Sequence, residues 1–418
     1  MPDRRALPAG FRWSRGPVSE LFSGRNNSLG LLRLFLASAV VVSHAGILGF
    51  GSHELGHGFS QGQIDLGKMA VFGFFFLSGI LVTRSGNRLP VGRFLWHRAL
   101  RLLPGFWVCM AVTAFAVAPF LYWRQHGSTA GFWDHPQGPF AYVEANWAVG
   151  VGQWGISGVM ETGTTKGLTH NAAMNGALWS LAYEILCYLG VGLLALGGSL
   201  VRSRRTVLAV AVVLGGLVVG DAVGNRLNAG AGTAAHGGDL VIPLMGPHSV
   251  NYMVYLGFAF ALGAVLELYK ERVPVSDPLA ALSAVVFVLT LHYGYFFALG
   301  VPAFCYLLLW LAIRLPKPFQ RIGAKHDYSY GIYIYGFLVQ QALAVLGGAR
   351  WGFAAYLGLS LAGALVAAVL SWHLVERPAM RLKDIGRRRP TDGGGPAPPP
   401  GAPPLGPPPG CGCGPRPG

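Results

Sequence analysis

The chain alternates between long apolar runs and short polar or basic segments. A helix needs about 17–25 such residues to cross a bilayer. Ten runs qualify: 29–48, 66–83, 102–121, 178–198, 206–222, 250–268, 279–297, 298–314, 329–348 and 353–375. The division between the seventh and eighth is the weakest. The pattern predicts an all-α, polytopic integral membrane protein with about ten transmembrane helices. Residues 29–380 form the membrane domain, preceded by a basic segment, 1–28, with no secretory signal peptide. Residues 381–418 form a tail that turns to Pro and Gly from about 390 and is expected to be disordered. The longest connection, 122–177, is frequent in Trp, Gly and Asn and is expected to hold short interfacial helices.

Composition agrees. Of 418 residues, 52% are hydrophobic and 12% charged, against about 25% charged in a soluble domain. The net charge of +15 raises the question of nucleic acid, which the placement of the charges answers. With the N-terminus in the cytoplasm, 27 of the 32 Lys and Arg fall in inside segments. Only Lys68, Arg124, Lys166, Arg226 and Arg350 fall outside. This is the positive-inside distribution; it places both termini in the cytoplasm and calls for a lipid bilayer and no nucleic acid. Cys109, Cys187 and Cys305 lie in apolar runs and Cys411 and Cys413 in the tail; no pair has zinc-site spacing.

Ser52-His53-Glu54-Leu55-Gly56-His57 contains H-E-x-x-H. A zinc peptidase needs that motif on a helix, with both histidines facing one metal. Here it follows the first span, among six glycines between residues 46 and 62, each costing a helix about 1 kcal/mol. No third ligand is evident. The stretch reads as an outside loop beside an acceptor, or as one without a role, and no metal is expected.

Ionisable groups within spans carry the chemistry. Arg33 and His44 are separated by 11 residues, close to three turns, so they share a face about 16 Å apart along the axis. His44 can take a proton from a hydroxyl; a histidine merely bonded to a neighbouring helix is the alternative. Arg98 and Arg101 project together at the cytoplasmic mouth of the third span and suit a phosphorylated ligand, or serve topology alone. Glu184 lies about a turn and a half into the fourth span. Its expected depth matches that of His44, where it can orient the imidazole, bind a sugar hydroxyl, or only join helices.

In this order the clusters resemble the membrane acyltransferase-3 family, which includes bacterial O-antigen and other polysaccharide O-acetylases. The resemblance covers nearly the whole membrane part. Asn26-Asn27 through Arg33 and His44 is similar to that family's first helix. Ala70 to Gly79 is similar to its second, Arg98-x-x-Arg101 with Pro104 to its Arg-x-x-Arg, and Leu178-Trp-Ser-Leu-Ala-Tyr-Glu184 to its Trp-Ser-Leu-x-x-Glu. Asp327-Tyr-Ser-Tyr-Gly-Ile-Tyr-Ile-Tyr335 and Glu376-Arg-Pro378 resemble its closing motifs. Many members carry an Asp in the second helix; Phe72 or Gly73 stands there here, so no role passes to it. With only a Pro/Gly tail after the membrane part, the chain resembles the family's stand-alone type rather than members with an added hydrolase-like domain.

The resemblance implies a multi-pass enzyme of the bacterial inner membrane. An acyl-CoA, acetyl-CoA above all, arrives from the cytoplasm with its phosphates on Arg98 and Arg101. The acyl group moves inward to His44, which acts as general base or carries it briefly. Arg33 helps hold the donor or polarise its thioester, and the acceptor is a carbohydrate or glycosylated hydroxyl. A carrier of a lipid-linked or acylated molecule, with Arg33 and His44 as gate or proton relay, uses the same residues without chemistry. A requirement for acyl-CoA separates the two. The role of Asp327 stays open; capping the ninth span is the simplest.

Overall fold

A computed structural model describes residues 16–22, 27–159, 173–198, 200, 203–224 and 238–384. Outside them lie most of the basic 1–28 segment, the middle of the long loop with Lys166, Arg226, and the Pro/Gly tail with Cys411 and Cys413. Each expected span corresponds to a helix: α1 (Leu29–Phe50), α2 (Leu66–Gly86), α3 (Val91–His126), α4 (Gly176–Leu196), α5 (Arg204–Gly224), α6 (Val250–Tyr269), α7 (Asp277–Tyr293), α8 (Phe296–Arg314), α9 (Ser329–Val345) and α10 (Phe353–Arg381). Eight of these are long and apolar enough to cross a membrane. The other two, α7 and α9, have 17 residues each.

Two boundaries differ from the expected ones for physical reasons. The α3 helix starts at Val91 rather than 102, because its first turns are basic and hydropathy does not register them. Gly294, at φ 113°, and Tyr295, in the left-handed region, divide α7 from α8. Among its described residues the long loop contains one helix, Pro139–Asn146. The only strands described, Asp239–Ile242 and Gly246–Ser249, pair antiparallel just before α6.

Of the eight long helices, α2 and α6 are the most buried, whereas α5 and α10 expose most of their surface; α9 is also largely buried. Where α2 crosses α6, Gly79 abuts the carbonyl of Phe260, and Gly263 that of Phe76. A Cβ at either position would strike backbone, so this close crossing requires glycine.

The pair that positions the site is α1 and α9. Arg33 reaches Asp327, just before α9; Gln340 Nε2 donates to the carbonyl of Val41; and the His44 ring meets Phe337 edge-on. From Arg33 with Asp327, through Val41 against Gly336, to His44 with Phe337, residue numbers rise together, so α1 and α9 run parallel. The face of α1 carrying Arg33 and His44 is thus laid against α9 along its length.

Candidate active site

His44 lines a cavity of about 660 Å³ together with Glu54, Lys68, Trp154, Trp179 and Tyr333. Its Nδ1 lies 2.7 Å from Glu54 Oε1. That partner comes from the H-E-x-x-H stretch. The stretch forms turns rather than helix, and the His53 and His57 rings stack 5.0 Å apart. Among the described residues, no three His, Cys, Asp or Glu side chains gather as metal ligands.

The loop is held from both sides. Gly51 ends α1 in the left-handed conformation, and Leu66 N donates to the carbonyl of Leu55. Gln63 Nε2 donates to the carbonyls of Thr290 and Leu291, and its Oε1 accepts from Phe296 N. Asp65 caps α2, accepting from Lys68 N and Lys68 Nζ at 2.7 Å each. Burial alone would raise the Glu54 carboxyl. Hydrogen bonds with His44 and Asp65 and the charges of His44 and Lys68 outweigh it, lowering the carboxyl to about 2. Asp65 moves the other way, raised by burial and by the neighbouring Glu54. The carboxylate facing His44 is therefore ionised throughout the physiological range.

Val71 and Tyr333 also line a second, smaller chamber of about 50 Å³ with Arg33, Ser78, Arg101 and Glu184. Its charges are tightly paired. Asp327 Oδ2 lies 2.6 Å from Arg33 Nη1 and 2.7 Å from Arg101 Nη2. Asp327 Oδ1 accepts from Ser329 N and Oγ at the head of α9. The residue both caps a helix and joins two arginines. Burial opposes ionisation of Asp327, but Arg33, Arg101 and the Ser329 donors lower it to about 2. Arg101 Nη1 also donates to Glu376 at 3.0 Å. Glu376 ends a wide, π-type turn in α10, Trp372–Glu376, a local bulge common at functional positions. Both closing motifs thus converge on Arg101.

Arg98 takes a different direction. Its guanidinium lies over the Tyr188 ring, 5.9 Å from the centroid, and its buried Nε has no hydrogen-bond partner. Among the described residues it makes no ion pair. Tyr188 OH donates to Glu184 at 2.5 Å, and Ser78 Oγ donates to the same carboxylate at 2.9 Å.

Glu184 is not level with His44. Gly176, the first residue of α4, packs against the ring of Phe337, and Phe337 is the ring that meets His44. The α4 helix therefore begins at the depth of the imidazole. Glu184, eight residues on, lies about 12 Å farther toward the Arg33 end. Sequence reasoning placed the start of the span at the outer surface, but the buried segment Ala173–Asn175 precedes it. The carboxylate at the imidazole is Glu54, which sequence reasoning had set aside with the failed zinc motif. The available signal was an acidic residue within a few positions of the end of the span that carries His44.

Residues 26–373 match the sequence profile of an acyltransferase domain. The chain is 27% identical over 360 residues to a protein named O-acetyl transferase from Shigella phage Sf6, covering 84% of this chain and 96% of that one. It is 28% identical over 375 residues to Nodulation protein 10 of Rhizobium leguminosarum bv. viciae, covering 88% and 97%. No solved structure matches. With the family profile spanning most of its length, the chain belongs to the membrane acyltransferase-3 family.

Proposed function

We propose that this membrane acyltransferase moves an acetyl group from cytoplasmic acetyl-CoA to a hydroxyl of a carbohydrate or glycosylated acceptor, with His44 as general base. The observation that carries this reading is the 2.7 Å contact between His44 Nδ1 and Glu54 on the wall of the large cavity. A carboxylate at Nδ1 holds that nitrogen protonated, leaves the Nε2 lone pair for substrate, and stabilises the imidazolium that forms, as in a hydrolase triad.

Nε2 takes the acceptor's proton as the hydroxyl oxygen attacks the thioester carbonyl. The tetrahedral intermediate then collapses, the C–S bond breaks, and the proton passes to the leaving thiolate, giving free CoA and the ester. Trp154 and Trp179 offer flat apolar faces to the acceptor, the kind of lining on which sugar rings pack. Arg98, unpaired, is the first contact for the donor's phosphates, with Arg101 and Arg33 held behind it. The name of the phage relative supports acetyl transfer to oxygen. The basic-residue distribution supports cytoplasmic termini in a bacterial inner membrane.

Membranes containing the protein, labelled acetyl-CoA and a host glycan extract test this. Wild type is expected to place label on glycan in an alkali-labile bond, and His44→Ala to lose it. Transport that continues without any acyl-CoA, with no label transferred, points to a carrier. Label unaffected by His44→Ala keeps the enzyme and removes the base assignment. Label trapped on the protein before acceptor is added makes His44 an acyl carrier.

A further inference from the structure

Three hollows lie in series beside α1. The large cavity at His44 shares Val71 and Tyr333 with the 50 Å³ chamber at Arg33. That chamber shares Ser329 with a third hollow of about 200 Å³. Gly30 and Leu34 of α1 line one side of the third hollow, and the segment 321–329 lines the other. Gly30 precedes His44 by fourteen residues, about 21 Å along the helix. The series is long, narrow in the middle and wider at both ends.

The third hollow is bordered by aromatic rings. His326 and Tyr328 lie nearly parallel, 5.9 Å apart with 14° between planes, and His373 lies 5.6 Å from His326. Trp372 Nε1 donates to His326 Nδ1 at 3.2 Å and fixes that ring; the other side of this contact leads back to the site, because Arg101 lies over Trp372. Arg321 and Lys325 on the same wall are exposed and make no ion pair among the described residues. An aromatic belt and inside-positive charge account for such residue types at a membrane surface. They do not account for their arrangement around a hollow that shares Ser329 with the chamber at Arg33.

We infer that this hollow seats the nucleotide end of the donor. The purine stacks on the His326–Tyr328 pair, the ribose-linked phosphate meets Arg321 and Lys325, and the thin pantetheine arm runs past Arg33 to bring the thioester to His44. A 200 Å³ hollow is smaller than a typical whole-ligand pocket and suits a base alone. The inference rests on the reading of the donor as acyl-CoA.

The test uses the full chain in nanodiscs and adenosine 3′,5′-bisphosphate, the nucleotide half of CoA without its arm. Wild type is expected to bind it and to release it to acetyl-CoA. His326→Ala and Lys325→Glu are each expected to weaken binding about tenfold, the scale of one lost base–aromatic stack or phosphate contact, and His326→Phe to retain it. In transfer assays the same two losses are expected to raise KM for acetyl-CoA about tenfold with kcat changed less than about twofold. Arg205→Ala, an exposed cation elsewhere, is the charge control and is expected to bind as wild type. Lys325 is exposed, so its variant is informative even if His326→Ala folds poorly. Wild-type binding and KM in both variants, with acetyl-CoA still a donor, overturn the seat and leave the reaction standing. Transfer from acetyl-CoA without bisphosphate binding also overturns the seat. Neither binding nor transfer in wild type removes both.

Discussion

His44 Nδ1 and Glu54 Oε1 meet at 2.7 Å across the end of α1, one from within the helix and one from the loop that folds back over it. Glu54→Gln keeps the shape of the side chain and removes its charge. The imidazolium formed during proton transfer then lacks its counter-ion, so kcat should fall on the order of 10²–10⁴-fold, the range of a general base. KM for the donor should change little, because the substitution touches no donor contact. Steady-state kinetics at saturating acceptor give both numbers. A kcat within about threefold of wild type would detach Glu54 from the chemistry.

Asp327 gives a pH-dependent prediction. Its folded carboxyl is lowered to about 2 from an ordinary 3.8, despite burial, by Arg33, Arg101 and the Ser329 donors. A depressed folded pKa means the unfolded chain binds the proton more readily. The stabilisation is therefore complete above about pH 4 and lost as pH falls toward 2. Asp327→Asn should lack this component and leave two guanidiniums facing each other. We expect a cost of about 1–3 kcal/mol at pH 7, below that of a fully buried pair because all three groups are partly exposed. Thermal melts in detergent from pH 7 to 3 should show the two proteins converging in acid. Equal midpoints at pH 7 would mean that the shared carboxylate does not hold the helices together.

Arg98 and Arg101 are three residues apart and differ in their pairing. Arg101 is bound to Asp327 and Glu376, so Arg101→Ala strands two carboxylates and should lower the melting midpoint. Arg98 pairs with no carboxylate among the described residues, so Arg98→Ala should leave the midpoint within about 2 °C while raising KM for acetyl-CoA about tenfold, the loss of one charge-assisted phosphate contact. If both variants behaved alike in both measurements, the division of labour drawn from the geometry would be wrong.

Much of this was legible in the sequence, and the gaps have specific causes. The helices followed from apolar runs, and the placement of Arg33 and His44 on one face followed from their spacing, because helical period is a local property. The α3 start was missed because its first turns are basic and mostly not buried, so no apolar run marks them. Glu54 was missed because only tertiary contact tells which outside-loop acid bends back to His44. The same holds for Asp327: a capping residue and a bridging residue have the same sequence, and the difference lies in whether Arg33 and Arg101 converge on it.

At the crossing of α2 and α6, Gly79 faces the Phe260 carbonyl and Gly263 the Phe76 carbonyl. Gly79→Val should force the two backbones apart and cost about 1–3 kcal/mol, as overpacking does. Because α2 also carries Ser78 and Phe74 of the small chamber, activity should fall with stability. A valine variant melting at or above wild type would show that the crossing has room that the backbone positions deny.

Glu184 and Glu54 have separate partners. Glu184 accepts from Ser78 Oγ and Tyr188 OH and lies about 12 Å from the imidazole level along α4. Glu184→Gln keeps a carbonyl acceptor for both hydroxyls but removes the negative charge beneath Tyr188, over which Arg98 rests. The charge next in that chain is Arg98, not His44. The substitution should therefore act on donor binding, raising KM for acetyl-CoA about threefold to tenfold, while kcat falls far less than in Glu54→Gln. If kcat fell further in Glu184→Gln than in Glu54→Gln, the carboxylate that serves His44 would be the one in the span, and the loop contact would be structural.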